Sequence, residues 1–168
     1  MGVRRQLVLT LLLALLVGCG SSAPASLPRL TAAPVATTAV PIAAEAETPQ
    51  GAAAFVRFWY AEITRAWALR DASIVDRLST PGCLTCERYI ESMKGTRARG
   101  ERLDPVTFNL TLVEAQALTG KTTSVSVIYD HPVTRRYDSA GRQISVSRAR
   151  QGVQETRELI RHGRSWLV

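Results

Sequence analysis

The sequence predicts an α+β domain in which helices come first and an antiparallel meander follows. Two observations carry that prediction. Apolar residues recur at helical spacing up to about Lys94, then switch to strict alternation from Val106 onward. Short turn-forming runs then punctuate the alternating half at the spacing expected of hairpins: Thr119-Gly120-Lys121, Asp138 to Gly141, and His162-Gly163-Arg164.

Each element has its own signal. Thr48 suits a helix cap and Pro49 the first helical position, so a helix is expected from Pro49. Within it Phe55, Trp59, Ile63 and Ala66 form one stripe, flanked by Val56, Tyr60 and Trp67; a stripe that broad predicts a mostly buried helix. Asp71 reads as the cap of a short second helix carrying Ile74 and Val75 inward. A third runs from about Leu84 to Lys94, with Tyr89, Ile90 and Met93 on one side. Val106, Phe108, Leu110 and Leu112 then alternate with polar residues, as do Val125, Val127 and Tyr129. Ile144 and Val146 begin a third run, Val153 to Ile160 a fourth, and Trp166-Leu167-Val168 closes the sheet. The folded domain is expected over residues 49–168.

The N-terminus reads differently. Arg4 and Arg5 precede an apolar run, Leu7 to Val17, broken only by Thr10. About a dozen apolar residues are short for a bilayer core of ~30 Å, so the run reads as an export signal. An ordinary signal peptide cut near Gly18 or Gly20, or an uncleaved anchor, is the plainer alternative. The tetrad Leu16-Val17-Gly18-Cys19 resembles the bacterial lipobox. That resemblance implies removal of residues 1–18 and acylation of Cys19, leaving the chain lipid-anchored on the extracytoplasmic face of the cell membrane. Each buried methylene contributes roughly 0.8 kcal/mol, so two or three acyl chains hold a protein stably where one does not. Residues 19–48 are then a tether, rich in Ala, Pro, Ser and Thr and nearly uncharged, with prolines at 24, 28, 34 and 41.

The formal charge of +7 falls to +5 when Arg4 and Arg5 leave with the signal. Lys94 and Lys121 are the only lysines; the arginine-rich, Ala- and Val-rich composition fits a GC-rich genome such as an actinobacterium. Nucleic acid is not an expected partner, since no basic helix or aromatic–basic repeat is present. Arginines crowd the C-terminal hairpins at 135, 136, 142, 148, 150, 157, 161 and 164. They are expected on a solvated outer sheet face, with Arg148 and Arg150 sharing one strand face. Arg135, Arg136, Arg148 and Arg150 are the alternative, a basic patch for anionic lipid headgroups or envelope polymers.

Cys83-Leu84-Thr85-Cys86 leaves an even cysteine pair once Cys19 is acylated. Export favours a disulfide, and this spacing at a helix start sets the α-carbons about 5–6 Å apart. The functional alternative is an accessory thiol–disulfide protein, since a Cys-x-x-Cys at a helix N-terminus can have a depressed thiol pKa. Redox proteins of the thioredoxin kind place it after a strand in a βαβ unit, whereas two helices precede it here. Zinc would need two further ligands, and His131 and His162 lack the spacing. No hydrolase, phosphate-loop or paired-histidine motif occurs, so neither cofactor, metal nor catalytic set is assigned.

The aromatic first helix, the stretch "ALRDASIVDRLS" and the closing "GRSWLV" together resemble the nuclear-transport-factor-2-like superfamily over about residues 50–168. The whole chain, with lipobox, tether and "CLTC", is similar to an actinobacterial lipoprotein family of unknown function. The superfamily resemblance implies helices packed in the concave face of a curved antiparallel sheet, with a pocket between them. It makes Trp59, Asp76, Tyr89, Tyr129 and His131 candidate pocket residues. Each has a structural alternative: Trp59, Tyr89 and Tyr129 as core side chains, Asp76 as a solvated helix residue, His131 as a surface residue before Pro132. The expected function is a non-catalytic binding domain for a protein or envelope component. The alternative is a small-molecule pocket protein or an enzyme of that cone-shaped superfamily.

Overall fold

A computed structural model describes residues 38–168. The export signal, Cys19 and most of the tether lie outside the described residues. Three helices, α1 (Pro49–Leu69), α2 (Ser73–Asp76) and α3 (Leu84–Ala98), precede seven strands: β1 (Arg102–Leu103), β2 (Asn109–Ala115), β3 (Thr122–His131), β4 (Arg135–Tyr137), β5 (Gln143–Val146), β6 (Arg150–His162) and β7 (Ser165–Leu167). The strands form two antiparallel sheets, a four-stranded one in the order β2-β3-β6-β7 and a three-stranded one in the order β1-β4-β5. The fold class is therefore α+β, helices first.

Helix α1 begins where the cap signal places it. The Thr48 hydroxyl accepts from Gly51 N at 3.0 Å, satisfying one orphan donor of the first turn. It ends at Arg70, which takes the left-handed conformation, φ 53°, while its N–H closes the last turn. Phe55, Val56, Trp59, Tyr60, Ile63 and Ala66 are all buried, the broad face that the periodicity requires. Asp71 then receives Ser73 N at 3.1 Å and Ser73 Oγ at 2.7 Å, setting the start of α2. Those bonds from Ser73 hold its carboxyl below the usual carboxylate range.

Cys83 caps α3, its sulfur accepting from Cys86 N at 3.3 Å, and the two cysteines are joined by a disulfide with α-carbons 5.3 Å apart. The chain end is tied to this region: Thr80 N donates to Val168 O and Val168 N to Leu78 O, at 2.7 and 3.1 Å.

Val113, Val125, Val127, Tyr129, Leu159 and Trp166 form the sheet side of the core beneath α1. Strand β3 keeps the expected alternation. Strand β2 does not, because a register shift falls between Leu110 and Leu112. One extra residue there reverses the parity, so Leu110 packs on the core, Leu112 turns to solvent and Val113 is buried in its place.

The expected single meander is corrected to two sheets. β3 and β6 pair directly from Thr122↔Ile160 to His131↔Arg150, leaving the intervening chain outside the main sheet. Pro132 lacks the N–H that would extend the ladder. The excluded segment folds as the β4–β5 hairpin and recruits Arg102 and Leu103 as its third strand. Ile144 and Val146, read as inward residues of the main sheet, remain exposed on β5.

Packed structure also reaches back before the expected start at Thr48–Pro49. Ile42–Glu45 forms a single 3₁₀ turn with Ala44 fully buried. Trp166 Nε1 donates to Ala46 O at 3.2 Å and Arg161 Nη2 to Glu45 O at 2.6 Å. Composition hid this turn because its contacts use a methyl group and backbone carbonyls, not large apolar side chains.

Candidate binding cleft

The end of α1, α3, the end of β3, the start of β6 and the small sheet converge on a cleft of about 250 Å³. Trp67 enters from α1, Tyr89 and Ser92 from α3, and Val106 and Phe108 from the chain leading into β2. Tyr129 and His131 come from β3, Arg135, Arg136 and Ser145 from the small sheet, and Arg150 from the first position of β6. The small sheet therefore has a use of its own: with Arg150 of the main sheet it builds the cationic wall.

Phe108 centres the floor. Its ring meets those of Tyr60, Tyr129 and His131 at 5.0, 5.4 and 5.5 Å, each close to edge-on. Edge-to-face contacts set the positive ring edge against the negative face and contribute roughly 0.5–1.5 kcal/mol each beyond area burial. The floor is thus a rigid aromatic surface, wide enough for an apolar body.

Beneath it lies a polar cluster on the inward face of the main sheet. Tyr60 Oη and Tyr129 Oη donate to the two Glu155 oxygens at 3.0 and 2.9 Å. Arg157, 5% exposed, donates to Tyr60 Oη at 3.1 Å, pairs with Glu155, and lies 4.9 Å from the Trp59 ring. Burial drives the Tyr60 and Tyr129 hydroxyls well above the ordinary phenol range, and the Glu155 carboxylate adds to the effect in both. Burial raises Tyr89 as well, against the opposing field of Arg157. Both phenols and the carboxylate are partnered, while Arg157 Nε is buried without a hydrogen-bond partner. The cluster locks α1 to β3 and β6 and holds the floor rings in place.

The cleft wall has a different balance. Arg135 pairs with Asp104 at 3.4 Å and Arg136 with Glu101 at 3.6 Å. Glu101 is more closely held by Arg99, at 2.7 Å, which with Arg136 keeps its carboxyl below the usual range. Two polar atoms of cleft residues, Trp67 Nε1 and Thr134 Oγ1, are buried without a hydrogen-bond partner. Trp59 Nε1, Arg157 Nε and Arg161 Nε and Nη1 are likewise buried without a partner among the described residues, so these atoms do not by themselves mark the cleft.

Three of the five candidate pocket residues, Tyr89, Tyr129 and His131, come together here with three of the four candidate patch residues, Arg135, Arg136 and Arg150. Two groups read separately in the sequence are one site. Trp59 stands behind it, fully buried against Tyr60, Tyr89 and Arg157. Asp76 is exposed on α2, beside Ser79 and Cys86, away from the cleft wall. Arg148 is exposed in the loop between β5 and β6, so it does not share a strand face with Arg150. The expectation of a wholly solvated arginine face is also corrected. Arg157 is buried, and Arg161 stacks 5.2 Å from the Trp166 ring. Both lie at the parity of Val153 and Leu159 on β6, a signal that was present in the spacing. Phe108, Thr134 and Glu155 were not anticipated as site residues; Thr134 joins the cleft only through the tertiary fold.

Fold and site together define an α+β domain with helices laid on an antiparallel sheet and an arginine-walled aromatic cleft at one end. No protein-family model matches the chain, and no curated protein matches it. Among solved structures, the intermembrane-space region of the chloroplast protein ARC6 is similar, with a TM-score of 0.52 at 11% identity over 71% of this chain and 90% of that one. At that identity the similarity is one of fold alone. Among the described residues no helix is long and apolar enough to cross a membrane, and no group of three His, Cys, Asp or Glu side chains is placed to hold a metal ion.

Proposed function

We propose that the chain is an extracytoplasmic lipoprotein, anchored through Cys19, whose folded part is a non-catalytic binding domain of the nuclear-transport-factor-2-like type. Its ligand is a small envelope or extracellular molecule with an apolar body, taken up by the aromatic cleft. The observation that carries this reading is the convergence of Tyr89, Phe108 and Tyr129 with the arginine wall on one cavity of about 250 Å³. A volume near the lower end of ligand sites suits a small molecule better than a protein segment. The lipobox resemblance supports the address, and the helices-then-sheet order supports the fold type.

The anchor is tested by metabolic labelling with a fatty acid: label should enter the wild type and be lost in Cys19→Ala. An unlipidated mature N-terminus elsewhere refutes it. The cleft is tested with an environment-sensitive apolar dye. Emission should rise with wild-type protein and fall in Ser92→Trp, where an exposed helix position tolerates an indole that narrows the cleft. Equal dye binding by both proteins places the ligand elsewhere.

A further inference from the structure

We infer that the occupant of the cleft is a small amphiphile with an oxyanion head, a carboxylate or phosphate on an apolar body, and that the head is bound by Arg150. This inference rests on the cleft being the binding site, as proposed above.

The charge of the wall is the first observation. Every ionisable side chain lining the cleft is arginine, histidine or tyrosine, and no aspartate or glutamate faces it. The three arginines are not equivalent. Arg135 and Arg136 are each paired with an acid outside the cleft. The Arg150 side chain is exposed and has no ion pair and no hydrogen bond among the described residues. It stands opposite His131 in the β3–β6 ladder, at the cleft end of both strands. A guanidinium offers a planar fork of donors matched to two oxygens of a carboxylate or phosphate.

Size is the second observation. The cavity of about 250 Å³ falls just below the ~300–1,000 Å³ of sites for drug-sized ligands. A single short chain or one ring with its acidic head fits; the two long chains of a membrane lipid do not.

The test uses the chain from residue 38, which contains every described helix and strand and their shared core. Octanoate, octyl phosphate and octanol are titrated calorimetrically; the first two distinguish a carboxylate from a phosphate head. At least one anion is expected to bind about tenfold or more tightly than octanol, the size of one charge-assisted contact. Arg150→Gln should remove that advantage and leave octanol binding unchanged. Arg148→Gln removes the same charge from a neighbouring loop outside the cleft and should have no effect. The inference is overturned if octanol matches the anions, if Arg150→Gln leaves anion binding intact, or if Arg148→Gln weakens it equally. In each of these the binding cleft itself survives. Binding of none of the three amphiphiles, with or without adhesion to anionic vesicles, overturns the cleft reading along with the inference.

Discussion

Removing the Glu155 carboxylate is the sharpest test of how the floor of the cleft is held. Arg157 is 5% exposed, and Glu155 is its only carboxylate partner among the described residues. Glu155→Ala leaves a buried guanidinium facing the Trp59 and Tyr60 rings and deprives two phenols of their acceptor. Breaking a buried ion pair on one side costs about 3–5 kcal/mol. The Glu155 side chain is 28% exposed, so some water reaches the site and the lower end, about 3 kcal/mol, is expected. For a domain of this size that is a fall in Tm on the order of 10 °C. Glu155→Gln with Arg157→Met removes both charges; the Gln carbonyl accepts from one tyrosine and its NH2 donates to the other hydroxyl. That pair should cost about 1 kcal/mol, less than Glu155→Ala alone. Urea unfolding followed by tryptophan fluorescence measures both. A loss under ~1 kcal/mol in Glu155→Ala would refute the desolvated-charge argument, as would a double variant less stable than the single one.

Three further outcomes are expected. Tyr60 and Tyr129 have raised folded-state pKa values, chiefly through burial, so their stabilising contribution is complete below the unfolded phenol value of about 10 and is lost as pH rises above it. Urea midpoints should therefore fall steadily above pH 10, with phenolate absorbance of these residues appearing only on unfolding; phenolate from the folded protein near pH 10 contradicts it. Cys83→Ser with Cys86→Ser should lower stability by about 2 kcal/mol, since so short a loop restrains the unfolded chain little, and mass analysis after non-reducing alkylation should show both wild-type thiols blocked. Gly51→Ala would drive a methyl into the Ala46 carbonyl, so the 3₁₀ turn must leave α1; a net loss of about 1–2 kcal/mol and new proteolytic cleavage within residues 40–48 are expected, and an unchanged digestion pattern refutes the docking.

Local signals sufficed where the cause is local. The Thr48 cap, the Asp71 start of α2, the turns at Gly120, Gly141 and Gly163, and the disulfide each depend on residues within a few positions of one another. The buried face of α1 was equally legible, because helical spacing alone decides which side chains share a face. Inward parity also extended to Glu155 and Arg157, but composition argued for solvent. Only their contacts with Tyr60 and Tyr129 show that these charges have partners inside. The bulge in β2 was beyond periodicity, since one unpaired residue reverses a face without altering composition. The two-sheet division was beyond it too. Alternation marks a strand but not its neighbour, and the pairing of β3 with β6 is a contact between residues far apart in sequence. The candidate site depends on that same choice. With residues 132–149 excluded from the main sheet, Arg135, Arg136 and Arg150 are brought around Tyr89, Phe108 and Tyr129. Residue types and local spacing determined which groups were available; long-range strand pairing alone decided that they would face one cavity.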